Sequence, residues 1–257
     1  MLKNKTSNSI LNYPSYIIIG FTLTSILAVF FLQPISQDAS YHGFVDNRSM
    51  WGIPNFLNVV SNLPFIIIGA AGVISLFKSD RNAGFKAANL LFFIGVILIG
   101  LGSGYYHLWP TNDTLLFDRL PMTIAFMSFL SVIIYHLINP RLGRILLFPL
   151  VAVGIASALY WYLGEKAGQG DLRFYGLVQF YPMLAIPLMV LLYPTPPSLK
   201  KNLLWVVIFY GSAKIFERFD EEIFTLTNIV SGHTLKHLAA AGAILKILVA
   251  IQIRTNK

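Results

Sequence analysis

The stretch that decides the reading of this chain is GSGYYHLWPTNDTLLFD, residues 102–118. Ser103 and His107 stand four residues apart at the end of a long apolar run, and Asp118 follows eleven residues later, where the next run is about to begin. A second four-residue pair, His233 and His237 in SGHTLKH (231–237), opens the last apolar run. Ionisable side chains in such runs are costly in a bilayer unless they are paired or bound to metal. Three histidines, one aspartate and one serine at the ends of predicted helices suggest a metal site, with the other segments as its frame.

The composition fits that frame. Of the 257 residues, 56% are hydrophobic and only 12% are charged, with a mean hydropathy of +0.66. A soluble domain carries about a quarter of charged residues, so this chain reads as an integral membrane protein. The runs are long and continuous, which predicts helices and not a barrel of short alternating strands. A net charge of +8 would suggest nucleic acid in a soluble protein; here the basic residues fall in short loops, and membrane orientation accounts for them without a nucleic-acid partner. With no cysteine, a metal must be held by histidine, carboxylate or water.

Eight runs are expected as helices: roughly 16–32, 56–77, 87–107, 120–137, 145–163, 174–193, 203–219 and 234–253. The seventh carries Lys214, Glu217 and Arg218 in its second half. The first follows Lys3 and Lys5 like a secretory signal, but it ends in FFLQP without a small-residue cleavage pattern and is read as retained. No repeat or linker divides the chain, so 1–257 is taken as one transmembrane domain.

If the N-terminus is cytoplasmic, Lys3, Lys5, Lys78, Arg81, Lys86, Arg141, Arg144, Lys200, Lys201, Arg254 and Lys257 lie on the inner side. Those are eleven of the nineteen basic residues; the outer segments hold Arg48, Arg119, Lys166, Arg173 and Arg218, and Lys214, Lys236 and Lys246 fall inside runs. Every inner segment is basic, which predicts eight spans with both termini inside. His107, Asp118, His233 and His237 then fall at one depth near the outer face. The charge count and the metal hypothesis are independent, and they agree.

On a helix, His233 and His237 share one face, a turn apart. With His107 they would leave a zinc ion one open position, for a water made acidic by the metal. Asp118 could orient that water and carry its proton, and Ser103 could donate to a developing oxyanion. Pro121 is expected in the first turn of its helix with Asp118 near the N-cap, and Ser231 is expected to cap the last helix. The plainer alternatives are a hydrogen-bonded histidine patch, a capping aspartate and a small packing serine. His136, at the other end of its helix, is read as an interfacial residue.

Ser103-x-x-x-His107, Asp118 eleven residues on, and the terminal His233-x-x-x-His237 resemble the alkaline ceramidase family. That family belongs to a superfamily of seven-helix membrane hydrolases that includes the adiponectin and progestin receptors. FDRLPM (117–122) and NFLNVVSNLPF (55–65) strengthen the match. The resemblance covers 46–257 and implies an all-α polytopic bundle of seven helices, with residues 1–45 adding one N-terminal helix and an outer loop. It further implies zinc held by His107, His233 and His237, assistance from Ser103 and Asp118, and hydrolysis of a lipid amide. Calcium-dependent members carry an acidic cluster before the first core helix. Here Asp38, Asp46, Asn47 and Asn55 offer fewer carboxylates, which argues against calcium.

The expected protein is therefore a zinc-dependent amidase for ceramide-like or other N-acyl lipids drawn from the bilayer. Its expected location is a bacterial inner (plasma) membrane. Competing readings are a receptor or sensor with a structural zinc, and a transporter using Lys214, Glu217 and Asp220 as an ion relay. The plainer reading of those three is an ion-paired helix face. Oligomeric state is not legible.

Overall fold

In the computed structural model, residues 13–78 and 85–255 are described, the last three for their backbone only. Lys3, Lys5, Arg81 and Lys257 of the charge count lie outside them. The described chain is helical: α1 (Tyr13–Phe31), a 3₁₀ turn (Ala39–His42), α2 (Phe56–Val60), α3 (Leu63–Lys78), α4 (Lys86–Leu108), α5 (Asn112–Leu137), α6 (Pro140–Lys166), α7 (Arg173–Leu192), α8 (Pro197–Arg218), α9 (Asp220–Thr227) and α10 (Gly232–Thr255). No strand longer than a single bridge occurs among the described residues.

All eight expected runs are helical, and the protein is an all-α polytopic bundle. Seven of these helical stretches are long and apolar enough to cross a membrane. The exception is α8: its 22 residues reach about 33 Å at 1.5 Å per residue, but its charges keep it from qualifying on composition. It is held by packing along α10 and against α7.

Two expectations need correction. The second run is not one helix: Ser61 and Asn62 form a turn between α2 and α3, because Pro64 has no N–H for the carbonyl four residues earlier. The fourth run begins eight residues earlier than expected. Thr111 is the N-cap of α5, forming a reciprocal capping box with Thr114. Pro121 therefore lies in the helix interior, and Asp118 and Arg119 lie about two turns in, where neither acts as a cap or loop residue. The capping signal at Thr111 is present in the sequence, and the apolar count overlooked it.

Helix neighbours run α3–α4–α5–α7–α8–α10 and back to α3, closing a ring of six. Outside the ring, α6 braces α5 and α7, and α1 rests on α7. The α1 contact is partly polar: Ser15 Oγ lies 3.0 Å from the Tyr193 hydroxyl, and Thr22 Oγ1 lies 2.6 Å from that of Tyr181. All six ring helices line one cavity of about 380 Å³.

Candidate metal centre

The chain places its three central histidines together. His107, near the end of α4, meets His233 and His237 from the first two turns of α10. One nitrogen of each lies within 4.8 Å of the others, and all three rings are buried. His107 Nε2 and His233 Nε2 face each other at 3.3 Å.

Local structure fixes the helix ends that carry the rings. Asn55, in the left-handed conformation that asparagine tolerates, donates from Nδ2 to the carbonyl of His107 at 2.8 Å and anchors the end of α4. The N-terminus of α10 is fixed twice. Ser231 caps it as expected, accepting from the Thr234 N–H at 3.2 Å, and Asp220 Oδ1 accepts from the His233 N–H at 2.6 Å. Gly232 lets this end approach α8 and α9 closely, since a Cβ there would lie 2.1 Å from the Phe216 carbonyl oxygen.

The tautomer of His237 follows from its neighbour. Ser61 Oγ lies 3.1 Å from the Asn58 carbonyl and 2.7 Å from His237 Nδ1; with its one proton on that carbonyl, it accepts from His237 Nδ1–H. That leaves the Nε2 lone pair free, which is how metal-binding histidines are generally oriented by an outer partner. Phe44 packs over the cluster, its ring centre 4.6 Å from that of His107 and 5.3 Å from that of His233. Neither Ser61 nor Phe44 was singled out from sequence; only the turn between α2 and α3 brings Ser61 into place.

Asp118 and Ser103 also converge here. Both line the cavity beside His237, and the Ser103 side chain hydrogen-bonds the Asp118 carboxylate. Their meeting depends on a close helix crossing. A Cβ on Gly102 would lie 1.9 Å from the Phe117 carbonyl oxygen, so α4 backbone rests directly on α5 backbone at that point. That oxygen has no helical donor, because residue 121 is proline.

The expected row of Lys214, Glu217 and Asp220 is rearranged. Glu217 accepts from Lys214 Nζ at 2.7 Å and from Lys236 Nζ at 3.1 Å, while Asp220 leaves the row to hold α10. Lys236 follows from its place between the two histidines of α10, a helix that presents it to α8. His136 lies at the far end of α5 beside Tyr135.

The acidic residues before α2 have protein partners. Both Asp46 oxygens are engaged by Arg48, at 2.7 and 2.9 Å, and Asp38 accepts from the Ser40 N–H. Arg48 also donates to the carbonyls of Asn228 (3.2 Å) and Ile229 (2.6 Å). Hydrogen bonding to Asp46 raises the pKa of Arg48 further above its usual range, so this clasp stays charged.

The fold and site define a polytopic helical membrane protein with a buried three-histidine cluster that could hold a metal ion. The sequence model of the ceramidase family matches residues 49–248, 200 of the chain's 257, and the chain belongs to that family. α1 lies outside the matched region. No curated protein gives a significant match. Membership implies an amide-hydrolysing enzyme with a lipid substrate.

Proposed function

We propose that this protein is a zinc-dependent intramembrane hydrolase that cleaves the amide bond of ceramide-like or other N-acyl lipids. The observation that supports this most is the meeting of Asp118 and Ser103 beside the three histidines, because a purely structural metal site needs neither. The donor set suits zinc: three buried imidazoles, no thiolate, one tautomer fixed from outside and two Nε2 atoms turned towards each other. When bound, zinc makes a water acidic near neutral pH and polarises a carbonyl.

The chain's own residues divide the remaining work. Asp118 takes the proton of the attacking water on its carboxylate and then gives it to the departing nitrogen. Ser103 holds the carboxylate in place through its hydroxyl. As Asp118 becomes protonated, its hold on that hydroxyl weakens, and Ser103 Oγ–H turns to the oxyanion. The acyl chain lies in the apolar part of the cavity, among Phe92, Phe129 and Ile247. Basic-residue counting supports a site near the outer face of a bacterial inner membrane, with both termini in the cytoplasm.

The test is metal content and N-acyl lipid hydrolysis on the same purified samples. Asp118→Asn should keep its metal and its helix content while turnover falls by roughly 10²–10⁴-fold. Ser103→Ala should cost on the order of 10²-fold. Near wild-type hydrolysis by Asp118→Asn removes the proton-transfer role. A metal-loaded wild type that cleaves no lipid amide supports the receptor reading instead.

A further inference from the structure

Arg119 follows Asp118 on α5, lines the same cavity and is only 6% exposed. Its guanidinium carbon lies 4.1 Å from the ring centre of Trp161, 5.0 Å from that of Tyr175 and 5.6 Å from that of Tyr41. One nitrogen, Nη2, donates to Gln37 Oε1 at 2.6 Å. Gln37 is itself fixed, since its backbone N–H donates to Glu165 at 2.6 Å. The other terminal nitrogen, Nη1, is buried without a hydrogen-bond partner. Among the described residues Arg119 forms no ion pair with a carboxylate.

A guanidinium stays charged in proteins, and a charge at membrane depth normally has a counter-ion or a function. The three rings favour a cation but do not neutralise it. Nor do the other charges of the cavity. Glu217 is engaged by two lysines, and the charge of Asp118 is shared between Arg119 and Lys236, so the cavity walls carry three cations against two carboxylates. One positive charge is in excess, and Arg119 is the cation of the cavity with a buried terminal nitrogen that has no hydrogen-bond partner.

We propose that Arg119 anchors a carboxylate carried by the substrate headgroup, so that the preferred substrates are N-acyl amino acids and not neutral ceramide-like amides. The inference rests on the amidase reading of the site. Its chemistry suits the placement: in an N-acyl amino acid the carboxylate is two bonds from the amide nitrogen, and Arg119 adjoins Asp118 in the chain. Arginine offers a planar pair of N–H donors that matches a carboxylate. The same group could come from the fatty acid released by cleavage, and the experiment separates the two sources.

Equilibrium binding to the purified, zinc-loaded protein in detergent is measured for N-palmitoylglycine, N-palmitoylethanolamine and palmitate, with hydrolysis followed separately. Wild type should bind the glycine conjugate about tenfold or more tightly than the ethanolamine conjugate, as expected for a charge-assisted hydrogen bond. Arg119→Gln should bring that ratio to about one. Arg119→Lys, which keeps the charge but not the fork, should fall between. Where Arg119→Gln does not fold, Arg119→Lys decides, and an undiminished ratio overturns the proposal. Equal wild-type affinity for the two amides overturns it as well. So does a loss confined to palmitate, which assigns the anchor to the released acid. Selective binding of N-palmitoylglycine without cleavage counts against the hydrolase reading and leaves the anchor standing.

Discussion

Ser61 shows how one outer residue sets the chemistry of an inner one. With its single hydroxyl proton on the Asn58 carbonyl, it holds His237 in the tautomer that presents Nε2 to the cluster. Outer-shell partners of this kind typically contribute 10–100-fold to metal affinity. Ser61→Ala should therefore weaken zinc binding by about that factor, read by chelator competition, while circular dichroism stays unchanged. Replacing His107, His233 or His237 by alanine should remove most of the bound metal, whereas His136→Ala should leave it in place. Full metal occupancy in His233→Ala would take that residue out of the site.

At the scale of elements, the site depends on how closely helices cross. α4 and α5 touch at Gly102 and Phe117, and this contact sets Ser103 against Asp118. Alanine is ordinarily the better helix residue by roughly 0.5–1 kcal/mol. At position 102 its methyl group would meet backbone, which cannot rotate away, and overpacking of this kind costs about 1–3 kcal/mol. Gly102→Ala should lower the melting temperature in detergent and reduce lipid hydrolysis together. Gly104, whose added Cβ would meet nothing within 4 Å, supplies the control. Gly104→Ala should leave both measurements as they are or raise stability slightly, and equal losses in the two variants would rule out the crossing as the cause.

At the scale of the molecule, six helices line one cavity, and the end of α4, the start of α5 and the start of α10 meet at the same end of the ring. The proposal from positive-inside counting is that this end is the outer face. A reporter fused after Lys257 should be active only in the cytoplasm, and one inserted in the 109–111 connection only outside. The insertion belongs at 109–111 because α5 already begins at Asn112. The opposite pattern would invert the orientation and place the site at the inner face.

Apolar run length alone identified the eight long helices, because a bilayer admits little else for segments of that composition. The spacing of Ser103, His107, Asp118, His233 and His237 identified the cluster, since four-residue steps share a helix face and the alternation of spans returns these positions to one side. What depends on packing was not legible. The interior position of Pro121 was legible in the Thr111–Thr114 capping pattern, but the approach of Gly102 to the Phe117 carbonyl was not. The break at Ser61 and Asn62 brought a hydroxyl to His237. Lys236 found Glu217 only once α10 lay along α8. Arg119, counted among the outer loop charges, is enclosed by Tyr41, Trp161 and Tyr175 from three separate segments. Those contacts join residues on different elements, and a periodicity confined to one helix carries no information about which distant side chains its face will meet.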